Sequence, residues 1–172
     1  NCVRINADIK GKGLKFRGSG VLYPLGSESD YDYVFTAQHI LKDAKEELAS
    51  QLDKISSIEI EIFENGGFTT YKTIDKDNLE CSLLPVGEDF LIIKIDKGVK
   101  QFDSFHLAND LIEEKPMHLY GISCEAQDMI TKLDCKCVDK NVETIRVTQP
   151  VCDMDSLHGM SGGGVFAINQ PL

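Results

Sequence analysis

Gly159-Met160-Ser161-Gly162-Gly163-Gly164-Val165-Phe166-Ala167 is the stretch whose reading decides what this chain folds into. A serine among glycines has an uncrowded hydroxyl, and the glycines let the backbone turn until successive N–H groups face one space. Ser161 is therefore a candidate nucleophile, and the space beside it a candidate oxyanion site. The pattern Gly-x-Ser-x-Gly also marks the nucleophile elbow of α/β-hydrolases, where the acid and the histidine follow the serine. The 11 residues from Gly162 to Leu172 contain no His, Asp or Glu, which predicts that any base and acid stand upstream. A phosphate-cradling loop is the other glycine-rich reading, but no Gly-Lys-Ser/Thr follows the glycines and Val165 onward reads as a strand.

Upstream, the pattern is that of a β protein. Val3, Ile5, Ala7 and Ile9 alternate with polar residues, and Leu14 to Tyr23 gives a second strand in which Gly18-Ser19-Gly20 predicts a bulge or a close backbone approach. Tyr33-Val34-Phe35-Thr36 is a short β-rich run that leads into Ala37-Gln38-His39-Ile40. Ile40, Leu41, Ala44, Leu48, Leu52 and Ile55 then recur at helical spacing, which predicts an amphipathic helix reaching about Ile55. Ile58 to Ile62 alternates strictly with an outward acidic face, Asn65-Gly66-Gly67 marks a hairpin, and Phe68 to Ile74 returns. Leu79 to Leu84 reads as a strand, and Asp89 stands at the entrance of the apolar strand that runs to Ile95.

Residues 101–115 are polar and turn-rich and predict a connection between an N-terminal β-barrel, 1–100, and a C-terminal one, 116–172. Met117 to Ile122, Met129 to Val138, Glu143 to Val147 and Gly163 to Ile168 are the candidate strands of the second unit.

Composition narrows the function. A net charge of −10 repels phosphate backbones and argues against a nucleic-acid partner. Lys10, Lys12, Lys15 and Arg17 are the only basic cluster, most simply read as solvated lysines that discourage edge pairing. No apolar run approaches the eighteen or so residues of a membrane-spanning helix. The six cysteines allow three disulfides, but reduced thiols are the default, with Cys81 in the context of a buried one. Cys135-Lys136-Cys137 could begin a zinc site with Cys124 or Cys152, although the spacing is not the usual one. The favoured expectation is no metal and no cofactor.

His39, Asp89 and Ser161 thus stand in that order, 50 and 72 residues apart, each beside a fitting strand. The arrangement resembles the trypsin-like serine proteases of the chymotrypsin fold. The resemblance lies in Gly18-Ser19-Gly20, Thr36-Ala37-Gln38-His39, Asp89-Phe90-Leu91-Ile92 and Gly159-Met160-Ser161-Gly162-Gly163, and spans about residues 3 to 168. It implies an all-β, two-barrel Greek-key fold with one helix after His39, and peptide-bond hydrolysis by Ser161, His39 and Asp89. Asp155-Ser156 aligns with the base of the family's primary specificity pocket and implies cleavage after Arg or Lys in a protein or peptide substrate.

The family's flanking cysteines are missing, with none beside His39 and Leu157 before the nucleophile, so a bacterial cytoplasmic home is expected. Met160 replaces the aspartate that pairs with a freshly cut amino terminus in digestive and clotting members, so activation by that cleavage is not expected. With Leu172 as the last residue, the strands that close the second barrel and wall the pocket are expected from the remainder of a larger, regulated assembly. Phage-defence modules of similar disulfide-free style are one such setting. A catalytically silent scaffold of the same fold is the alternative from another class.

Overall fold

The computed structural model describes residues 1–42, 48–102, 116–126, 128–140, 145–147 and 158–167. It is built almost wholly of strands in two antiparallel sheets. The first sheet holds β1 (Cys2–Ile9), β2 (Leu14–Pro24), β3 (Tyr31–Ala37), β4 (Ile55–Glu64), β5 (Gly67–Asp75), β6 (Leu83–Val86) and β7 (Phe90–Asp96) in the order β5-β4-β1-β2-β3-β7-β6. The second holds β8 (Pro116–Gly121), β9 (Thr131–Lys140), β10 (Ile145–Val147) and β11 (Gly164–Ala167) in the order β10-β9-β8-β11.

Alternation places the core. Val3, Ile5 and Ala7 of β1, Ile58, Ile60 and Ile62 of β4, and Leu91, Ile93 and Ile95 of β7 are all buried and share one cluster with Leu22 and Val34. Each fully buried Ile or Leu is worth about 1.5–3 kcal/mol relative to an exposed one, so this shared face holds the seven strands together. The sheet curls around that cluster. Tyr71 of β5 donates from its hydroxyl to Asp32 Oδ2 of β3 at 2.8 Å and accepts from the Gly98 N–H at 2.9 Å. Burial, and then the bond to the Asp32 carboxylate, push the Tyr71 pKa up to about 12, so the clip stays intact through the physiological range. The edge strands β5 and β6 are linked by the 3₁₀ turn Lys76–Asn78 and the four-residue helix α2 (Leu79–Ser82), with no ladder between them among the described residues.

Several local expectations are revised. Of the helix expected to reach Ile55, Gln38–Ile40 is a 3₁₀ turn, Leu48–Gln51 (α1) is α-helical, Leu52–Lys54 is again 3₁₀ and Ile55 already belongs to β4, while 43–47 lie outside the described residues. Leu79–Ser82 is helical rather than extended, because an apolar run of this length fits either period. Glu61 is not solvated. It is 8% exposed and accepts from Arg4 Nε at 2.5 Å and from Asn6 Nδ2 at 2.6 Å, because β1 lies across β4 and supplies both donors. Cys81 is exposed, its thiol pointing to the Asn78 carbonyl as part of α2.

Cys2, Cys81, Cys124 and Cys135 are free thiols. Burial raises the pKa of Cys2 to about 12, and burial also shifts that of Cys135 upward, which makes both poor nucleophiles. Cys152 and the Cys137 side chain lie outside the described residues. Among the described residues no helix is long and apolar enough to cross a membrane.

Candidate active site

The end of β3 and the start of β7 are ladder partners, Thr36 opposite Leu91 and Ala37 opposite Phe90. Continuing both strands by one or two residues brings Gln38-His39 against Asp89. The Gln38 N–H donates to the Asp89 carbonyl at 2.6 Å. Its side chain, buried at 4% exposure, donates from Nε2 to the Gly87 and Phe90 carbonyls, both at 3.1 Å. Gln38 therefore fixes the turn that presents Asp89.

The Asp89 carboxylate then holds His39 at two points. Oδ1 accepts from the His39 N–H at 2.9 Å, and Oδ2 lies 2.7 Å from His39 Nδ1. A carboxylate only accepts, so Nδ1 carries the proton and the Nε2 lone pair is free. The two side chains are 48% and 52% exposed. An ion pair this open contributes at most about 1 kcal/mol to stability, so the geometry serves orientation rather than the fold.

Ser161 sits in a turn closed by the Gly163 N–H donating to the Met160 carbonyl at 2.8 Å, with Gly159 at φ +89° and Gly162 at φ +83°. Both values lie in the left-handed region that favours glycine. The turn is held from the first sheet. The Ser19 N–H donates to the Ser161 carbonyl at 2.9 Å, and Ser19 Oγ donates to the Gly159 carbonyl at 2.8 Å while accepting from the Ile122 N–H at 2.7 Å. Thr36 Oγ1 donates to the Ser19 carbonyl at 2.7 Å, which carries the chain of bonds back to β3.

Gly18 permits this approach, since a Cβ there would stand 3.0 Å from the Ser161 carbonyl oxygen and 2.8 Å from Ile40 Cγ2. Both alternatives read for Gly18-Ser19-Gly20 are therefore realised nearby: the β1–β2 ladder slips one residue at Arg17, and the next two residues meet the serine turn. On its other side the turn rests on Met160, 6% exposed against Gly121 of β8, and on the Cys124 N–H donating to the His158 carbonyl at 2.6 Å. Where Met160 replaces an ionic anchor, packing and a backbone bond do the holding.

His39 and Ser161 line one cavity of about 400 Å³ with Phe16, Arg17 and Gln51 among its other walls. His158 is exposed, and Asp155 and Ser156 lie outside the described residues. Among the described residues no three His, Cys, Asp or Glu side chains converge to hold a metal ion. Sequence reasoning missed Ser19, Thr36 and Gln38 as supports of the site. For Thr36 the signal was a polar residue at a β3 position that alternation assigns to the interior.

No family model matches the sequence, and no curated protein is similar to it. Solved structures are. The crystal structure of Deg5 superposes with a TM-score of 0.57 at 18% identity, covering 96% of this chain and 73% of that one. The apo protease domain of MamO from Magnetospirillum magneticum superposes with a TM-score of 0.56 at 11% identity, covering 96% and 77%. With its two antiparallel sheets and the serine turn carried between them, the chain has the all-β fold of the trypsin-like proteases.

Proposed function

We propose that this chain is a serine endopeptidase. The observation that carries the reading is the two-point grip of Asp89 on His39, 2.7 and 2.9 Å, at the wall of the cavity that Ser161 also lines. Ser161 Oγ attacks the peptide carbonyl while His39 Nε2 takes its proton, and the charged imidazole is stabilised by Asp89. The N–H groups of Gly159 and Ser161 receive the oxyanion. The tetrahedral intermediate expels the amine, which leaves with the proton from His39, and water then cleaves the acyl-enzyme by the same base. Substrate choice follows from Asp155 and Ser156: a carboxylate at a pocket floor is costly to desolvate unless a cation enters, which selects Arg or Lys on the acyl side of the cut bond.

A fluorophosphonate probe and a peptide library applied to the same preparation test both levels. Covalent labelling of the intact protein, absent in Ser161→Ala, is expected, together with cuts after Arg and Lys that Asp155→Ala reduces. Absence of labelling in a folded sample refutes the enzyme and leaves the silent scaffold. Labelling with equal cutting after Leu or Phe refutes only the role of Asp155.

A further inference from the structure

The cavity beside Ser161 differs in charge from the rest of the molecule. In a chain of net charge −10, its walls include Lys10, Lys12, Arg17 and Lys42 and, among the described residues, no Asp or Glu. Lys10, Lys12 and Arg17 form no ion pair with a described residue. Two donors of residues in the same wall are buried with no acceptor among the described residues: Nε of Arg17, and Nε2 of Gln51, a residue that is 2% exposed. The basic cluster keeps its lysines exposed, as the sequence implies, but it is not dispersed. The β1–β2 turn and the one-residue slip at Arg17 deliver three of its members to one opening.

The position of the cavity says which part of a substrate meets these charges. Its walls come from β1, β2, the His39 turn and α1, all in the first half of the chain, plus Ser161. His39 is the group that returns a proton to the departing amine, so the space on its side of Ser161 holds the leaving half. The acyl half lies on the opposite side of Ser161. From this we infer that the cavity is a subsite for an acidic side chain, Asp or Glu, within the first few residues after the cut bond. The inference rests on the proposed peptidase reading and adds the leaving-group preference to it. It involves no covalent step of its own.

The test has two arms, so that its failure and that of the peptidase reading can be told apart. In the first, quenched-fluorescence peptides identical up to the cut bond carry Glu, Gln or Lys in the three positions after it. The Glu peptide is expected to show about ten-fold higher kcat/KM than the Gln peptide, a difference that shrinks near ~1 M salt, where the Debye length falls to about 3 Å.

In the second arm, binding of labelled leaving-half peptides to Ser161→Ala is read by anisotropy, which needs no turnover. Tighter binding of the Glu peptide, weakened by Arg17→Glu or by Lys12→Glu, is the expected result. Lys12 is exposed in the β1–β2 turn, so its reversal keeps the test usable if Arg17→Glu unfolds. Equal affinity for Glu and Gln peptides overturns the inference whether or not the protein cleaves. So does a preference that follows the peptide's free terminal carboxylate and vanishes on amidation, or one that appears only with acids on the acyl side. Cleavage without any Glu preference leaves the peptidase standing and removes this subsite.

Discussion

Asp89→Asn is expected to lower kcat about 10⁴-fold, close to 5 kcal/mol of barrier, with little change in melting temperature. The reason lies in the two donors that Asp89 now serves. The His39 N–H, 2.9 Å from Oδ1, can only donate, so the amide oxygen of an asparagine must take that place. The amide NH₂ then faces Nδ1, where Oδ2 stood at 2.7 Å. Two donors cannot share that contact, so Nδ1 gives up its proton and the ring carries it on Nε2. An imidazole protonated at Nε2 cannot accept the Ser161 proton. Stability is spared because the pair is about half exposed and contributes little to the fold. Steady-state kinetics with a saturating peptide, paired with a thermal melt, decide it: a kcat within ten-fold of the parent at unchanged stability removes Asp89 from the mechanism.

Gly162→Ala should be the most damaging single methyl group that can be added near the site. At φ +83° an L side chain costs about 1–2 kcal/mol by itself. Its Cβ would also collide with Thr36 Oγ1, the Ser19 carbonyl oxygen and the Thr36 Cα, two of them backbone atoms of paired strands that cannot swing aside. Overpacking of this kind adds about 1–3 kcal/mol, for a total near 2–5 kcal/mol and a drop of roughly 5–15 °C in a domain of this size. Gly13→Ala is the matched control, with φ +80° and open space where its Cβ would go, so only the conformational cost applies. Melting curves of the two variants should differ by most of the collision energy, and only Gly162→Ala should lose probe labelling. Equal melting shifts would mean that β2 and β3 do not grip the serine turn as described.

Much of the fold is legible in the sequence because strands write themselves at period two. The alternations at Val3–Ile9 and Ile58–Ile62 each mark a strand whose buried face is the one read. His39, Asp89 and Ser161 stand out as candidates in the sequence because each lies close to a strand terminus among unusual neighbours. What remained hidden depends on contacts between distant segments. Leu79–Ser82 folds as a helical turn because it must span from β5 to β6, a demand that four residues cannot announce. Glu61 is buried only because β1 brings Arg4 and Asn6 against it. Lys10 and Lys12 are turn cations, and nothing local shows that they and Arg17 line the cavity that His39 also lines. Ser19 has no local signal for its role, since both of its hydroxyl partners are more than 100 residues away.

That last feature sets an order in time. His39 and Asp89 close a loop of 50 residues inside one sheet, whereas Ser19 reaches Gly159 across 140. Loop closure costs about 0.6 kcal/mol more for each doubling of length, and pairings so remote in sequence form late in folding. A chain caught partway therefore holds a base and its carboxylate but no seated hydroxyl. On the proposed reading, the reactive ensemble would be complete only once both sheets have docked, so a partly folded copy would orient a proton and have nothing to strike with.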